Sequence, residues 1–181
     1  MKQTARFQQT LASQASFAKY GRKSKRELFL DQMNQVVPWS ELLALVEPFY
    51  PKAGNGRQPV GLAIMLRTYF LQQWFSLSDP GMEEAFYESP VLRRFAGVDL
   101  GVAAAPDETT ILRFRHLLEQ HDLCGEMLMT VNRYLETKGI RITTGTKVRY
   151  RGIWKNHQWL CAAFALVNLY QHRNRLVPQR A

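Results

Sequence analysis

A chain of 181 residues with 46% hydrophobic and 22% charged side chains is sized for one globular domain plus a short appendage. Its longest apolar run, Leu160 to Val167, falls far short of the roughly 20 residues of a membrane-spanning helix, which excludes a membrane partner. The net charge of +9 is unevenly placed: residues 1–26 carry +7 and no acid, residues 27–136 carry −7 and all fifteen acids, and residues 137–181 carry +9 and no acid.

Residues 1–23 show no hydrophobic periodicity and are expected to form a basic mobile arm. Their start, MKQTARFQQTLASQ, lacks the apolar core of a secretion signal, so a cytoplasmic location is expected. Ser24-Lys25-Arg26-Glu27 is a capping-box pattern that predicts a helix carrying Leu28, Phe29, Met33 and Val36, ended by Pro38. Trp39 to Glu47 predicts a second short helix, closed by Pro48-Phe49-Tyr50-Pro51. Gly54-Asn55-Gly56 marks a loop. Leu62, Met65, Leu66, Tyr69, Phe70 and Trp74 predict a strongly apolar helix face. Asp79-Pro80 and Ser89-Pro90 each place a capping side chain before a proline and predict helices near 80–87 and 90–95.

Asp107 is expected to cap a helix over 108–120 whose core face is Ile111, Phe114, Leu117 and Leu118. Thr109, Arg113, His116 and Gln120 fall on another face at helical spacing. A further helix runs from about Leu123 to Lys138 and stops at Gly139. The pattern then changes: Ile140-Arg141-Ile142 alternates like a strand, as do Val148 to Arg151. Trp159 to Tyr170 predicts a helix apolar nearly all round, which belongs against a sheet or deep in a core. One short strand cannot supply that sheet, so this helix is expected to lack its original packing partner and to be either mobile or docked opportunistically on the helical domain.

The basic ends suit a polyanion, most simply nucleic acid, through release of its condensed counterions; a solvated charge bias is the alternative. Cys124 and Cys161 lack metal-ligand spacing and read as buried or free thiols. The four histidines are scattered, and Trp39, Trp74, Trp154 and Trp159 read as core rather than base-stacking platforms. Residues expected to meet DNA are Lys19, Arg22, Lys23, Lys25 and Arg26 in the arm; Thr109, Arg113, Arg115 and His116 on the helix after Asp107, in a helix-turn-helix-like arrangement, with a solvated helix face as the alternative; and Lys147, Arg149, Arg151 and Lys155 near the C-terminal end, with an unpartnered charged strand as the alternative. No catalytic or metal-ligating residue and no small-molecule ligand is expected.

Several motifs in order resemble the N-terminal region of bacterial insertion-sequence transposases of the "insertion sequence five" group, over roughly residues 20–146. They are Glu47-Pro48-Phe49-Tyr50-Pro51-Lys52-Ala53-Gly54-Asn55-Gly56-Arg57, Met65-Leu66-Arg67, Gln73-Trp74-Phe75-Ser76-Leu77-Ser78-Asp79, Glu83-Glu84-Ala85-Phe86-Tyr87-Glu88, Pro106-Asp107-Glu108-Thr109-Thr110-Ile111 and Phe114-Arg115-His116-Leu117-Leu118-Glu119. The resemblance implies a mainly α chain: a helical N-terminal transposase domain over 24–139, then a strand–helix remnant of a ribonuclease-H-like catalytic core over 140–181. In that family two Asp and one Glu hold two Mg²⁺ ions for DNA strand cleavage and joining. The first Asp follows a Gly-Thr-x-Val strand, and here Gly145-Thr146-Lys147-Val148 is followed by Arg149. Lys147-Val148-Arg149-Tyr150-Arg151-Gly152 and Lys155-Asn156 are similar to the family's extreme C-terminal segment, which lies beyond the catalytic Glu. The two ends of the core thus look joined directly, by internal deletion or by a frameshift arrangement.

The resemblance therefore implies a truncated DDE-class transposase without cofactor or cleavage activity, DNA-binding through the element's terminal inverted repeats and nucleoid-associated. Two alternatives stand beside it: an interaction protein that oligomerises with itself or with full-length transposase and inhibits it, or a non-functional remnant.

Overall fold

The computed structural model describes residues 22–55, 58–140 and 154–177, and within 154–163 the side chain of Cys161 alone. The described residues form eight α-helices: α1 (Lys25–Val36), α2 (Trp39–Val46), α3 (Leu62–Phe75), α4 (Asp79–Glu88), α5 (Pro90–Ala96), α6 (Glu108–Gln120), α7 (Leu123–Thr137) and α8 (Trp154–Leu176). A 3-10 turn at Glu47–Phe49 follows α2. The fold is mainly α, as the residue pattern predicts. Most of the expected arm and the expected strand after Ile140 lie outside the described residues.

Local chemistry starts and stops these helices much as the sequence indicates. Ser24 accepts a hydrogen bond from Glu27 N at 3.1 Å and opens α1. Ser89 Oγ takes Leu92 N, with Pro90 at the first helical position of α5. Asp107 Oδ1 takes Thr110 N at 2.7 Å and Thr109 Oγ1 at 2.8 Å and opens α6. Gly139, at φ 73°, ends α7 in a left-handed turn: Gly139 N donates to Glu136 O and Ile140 N to Leu135 O. Ile140 is buried beneath that turn, so it terminates a helix where the alternation suggested a strand start. The start of α4 also differs by one residue. Ser78, not Asp79, is its cap, accepting from Gly81 N at 3.2 Å.

Helix α3 is the axis of the core. Met65, Leu66, Thr68, Tyr69, Phe70, Leu71 and Gln72 are all buried, and α2, α4, α5, α6 and α8 pack around them. Three of its buried polar side chains have partners: Thr68 Oγ1 donates to Ile64 O, Gln72 Nε2 to Asp79 Oδ1 at 2.8 Å, and Tyr69 OH lies 3.4 Å from Cys124 Sγ on α7. Arg67 leaves the same helix, stacks over Trp39 at 4.4 Å, and donates to Asn34 Oδ1 and Phe95 O, joining α1, α3 and α5. Each fully buried Leu or Phe on this axis contributes about 1.5–3 kcal/mol of burial energy.

Of the two expected outcomes for the last helix, mobile or docked on the helical domain, α8 shows the docked one. It lies along α7, its most extensive contact, and also touches α1 and α3. Cys161, Ala165, Leu166 and Leu169 form its buried stripe, and Asn168 Nδ2 donates to Asn132 Oδ1 of α7 at 3.0 Å. Helix α7 supplies Leu123, Cys124, Met127, Val131 and Leu135 as one continuous apolar face, so another helix takes the place of the expected sheet. The opposite side of α8 leaves Phe164, Val167 and Tyr170 exposed.

Candidate nucleic-acid interface

Helix α6 is amphipathic, and its two faces have separate tasks. Ile111, Phe114 and Leu118 are buried, while Thr109, Arg113, His116 and Gln120 are exposed along one stripe. The stripe contains a cation, an imidazole, a hydroxyl and an amide, and no acid. Arginine, histidine and glutamine are of the kinds that donate to phosphate oxygens or read base edges, whereas the Thr109 hydroxyl already donates to Asp107 Oδ1.

Two acids of α4, one helical turn apart, hold α6 in place. Asp79 Oδ2 pairs with Arg115 Nη2 at 2.9 Å, and Glu83 Oε2 accepts from Glu108 N at 2.7 Å. The second contact is a helix cap supplied by a neighbouring helix. Together with the Asp107 cap it fills the α6 N-terminus with carboxylates, which closes that end to phosphate. The exposed cation and imidazole of α6, Arg113 and His116, lie instead on the side of the helix. Asp122, at φ 51°, turns the chain directly into α7, and His121 stacks on Phe49 with centroids 4.4 Å apart.

A cleft of about 260 Å³ runs beside the stripe, between α6 and the segment after α2. Tyr50, Pro51, Gln58, Pro59 and Val60 form one wall, and Thr110, Arg113, Phe114 and Leu117 the other. Tyr50 donates its hydroxyl to Val60 O at 2.5 Å, and burial raises its pKa. Gln58 Nε2 donates to Gly54 O at 2.9 Å, so the loop is braced from within. Lys52 is exposed on that loop.

The residues expected to meet DNA divide by location. Thr109, Arg113 and His116 come together on the α6 stripe, whereas Arg115 points inward to Asp79. Arg22, Lys23, Lys25 and Arg26 are exposed at the start of α1, where Lys23 pairs with Asp31 at 2.6 Å and Arg26 lies 4.8 Å over the Phe75 ring. Helix α1 packs on α5 and α8, and α6 on α3, α4 and α7, so these two basic sets sit on different parts of the bundle. Lys19, Lys147, Arg149 and Arg151 lie outside the described residues, as does the side chain of Lys155. Asp79 and Glu83, the positioning acids, are absent from the sequence-based set. Their one-turn spacing was visible, but not which helix they face.

Among the described residues no three His, Cys, Asp or Glu side chains group as metal ligands, and the sequence has no Asp or Glu after Glu136. Several of the acids are already engaged: Glu27 with Arg94 at 2.6 Å, and Asp31, Asp79 and Glu83 as above. Hard divalent cations need converging carboxylates, and the residues described do not fit the Mg²⁺ pair implied by the resemblance. Both cysteines are buried, and neither is in a disulfide. No described helix is long and apolar enough to cross a membrane.

The family model described as "Transposase domain (DUF772)" matches residues 18–117, more than half of the chain and all of α1 to α5. No solved structure matches.

Proposed function

Because the chain belongs to the DUF772 transposase-domain family, we propose that it is the DNA-holding part of an insertion-sequence transposase of the "insertion sequence five" group. In this reading its DDE core has been removed by internal deletion and it cuts no DNA. The observation that carries the DNA contact is the acid-free stripe Thr109, Arg113, His116 and Gln120, held on α6 by Asp79 and Glu83. The stripe supplies donors for phosphate oxygens and base edges, and the basic start of α1 adds sequence-independent attraction. The element's terminal inverted repeats are the natural ligand, with Lys19, Lys147, Arg149, Arg151 and Lys155 as further phosphate contacts.

Loss of cleavage follows from the missing acids. Two-metal phosphoryl transfer clamps the attacking and leaving oxygens between cations, and residues 137–181 contain no carboxylate side chain to hold them. A gel shift on a duplex carrying the terminal repeats, repeated across salt concentrations, tests the binding. Salt-sensitive retention is expected, and failure to retain the duplex at low salt overturns it. A nicking assay with Mg²⁺ on the same duplex tests the second part, and turnover by the purified chain overturns it.

A further inference from the structure

A second surface is built differently from the α6 stripe. Between α1, α3 and α8 lies an open groove of about 590 Å³, lined by Lys25, Arg26, Phe29, Gln73, Trp74, Phe75, Leu166, Val167 and Tyr170. Its charged side chains are both cations, and its walls are largely aromatic. The smaller pocket on the other side of α1 is lined by Glu27 and Asp31 as well as Arg67 and Arg94, so there acids offset the cations.

The rings are braced against one another edge-on: Phe29 meets Trp74 at 5.3 Å and Phe75 at 6.0 Å, and lies 5.7 Å from Tyr170. Two of them carry a guanidinium over one face, Arg26 over Phe75 at 4.8 Å and Arg173 over Tyr170 at 3.9 Å. Planar cations on aromatic rings at an open rim offer flat surfaces for a base and charge for its phosphate. Beneath them the groove is short of hydrogen bonds. Gln73 Oε1, an acceptor, and Trp74 Nε1, a donor, are buried without a partner among the described residues.

We propose that the groove between Arg26, Phe75 and Tyr170 holds an unpaired nucleotide of a DNA strand, separately from duplex contact on α6. The proposal rests on the reading that this chain binds DNA. A second copy of the chain would be served by the apolar residues, and its acidic middle by the cations, so self-association is the competing outcome of the test. A duplex cannot enter, because its bases are stacked and paired away from such walls. An unpaired strand uses the aromatic faces and the cations together.

The test uses the full chain, a fluorescent thymidine oligonucleotide and a fluorescent duplex, with anisotropy titration of wild type, Tyr170→Ala, Tyr170→Phe and Arg26→Gln. Tyr170 is 44% exposed, so its truncation leaves the core intact, and thermal unfolding of each variant checks this. Tyr170→Ala is expected to weaken oligonucleotide binding about tenfold and Tyr170→Phe to restore it. Arg26→Gln is expected to weaken it and to lower its salt dependence. Duplex affinity stays within about twofold in the two Tyr170 variants, because the stripe on α6 is untouched. Wild-type oligonucleotide affinity in both Tyr170→Ala and Arg26→Gln overturns the groove while leaving the α6 interface standing. A dimer that Tyr170→Ala converts to monomer, with oligonucleotide binding unchanged, assigns the face to self-association and also overturns it. Wild-type protein that binds neither DNA overturns both readings.

Discussion

Asp79 and Arg115 form a 2.9 Å ion pair that joins the first turn of α4 to the middle of α6, and the same carboxylate accepts a hydrogen bond from Gln72 on α3. The Asp79 side chain is 13% exposed and that of Arg115 39%, so the pair is largely screened from water on the acid side only. Arg115 Nε is buried without a partner among the described residues, which makes the carboxylate the chief compensation for that guanidinium. Asp79→Ala is expected to lower the unfolding free energy by about 1–2 kcal/mol, discounted for the exposure of Arg115. Urea titration measures this, and a loss below about 0.3 kcal/mol would show that the pair does not hold α6.

Arg113 carries the exposed positive charge of the α6 stripe. Arg113→Ala is expected to weaken duplex binding and to reduce the slope of log affinity against log salt by about 1, with no change in stability. Gel shifts at several salt concentrations check it. An unchanged slope places Arg113 away from phosphate.

Cys124 and Tyr69 make the fold alkali-sensitive. Burial pushes the Cys124 thiol from 9.0 to about 11, and burial, then Cys124 itself, hold the Tyr69 hydroxyl well above 10.0. Both groups keep their protons longer in the folded chain than in the unfolded one. The stability this represents is fully present below about pH 9 and is lost as pH rises toward about 11. The urea midpoint is expected to fall between about pH 8.5 and 10.5, and Cys124→Ser to flatten that fall. A midpoint independent of pH over this range would contradict the burial of the pair.

Leu169 tests whether α8 is an integral part of the bundle. It is fully buried against the α7 side, so Leu169→Ala is expected to cost about 2–4 kcal/mol, through lost burial and the cavity left behind. A cost under about 1 kcal/mol in urea titration would show that α8 adds little to the cooperative unit.

Much of this molecule is legible along the chain, because helix ends are local events. Ser24, Ser89, Asp107 and Gly139 mark their helices through bonds to amides or carbonyls at most five residues away. The apolar face of α3 and the polar stripe of α6 follow likewise from a period of 3.6 residues. Where two local signals competed, as at Ser78 and Asp79, the sequence chose wrongly. Asp79 was needed 36 residues away, at Arg115.

Which face meets which neighbour was decided only by the packed bundle. An apolar helix such as α8 has no preferred direction until a complementary surface exists, and α7 presented one where a sheet had been expected. The same holds for Arg115, whose sequence neighbours Arg113 and His116 face outward while it turns inward. The sequence by itself determined the helices, their ends and the unequal spread of charge, because each depends on near neighbours or on simple counting. The packed bundle settled which of the described charges pair within the chain and which stay exposed, because a salt bridge depends on distances that the chain sets after it has folded.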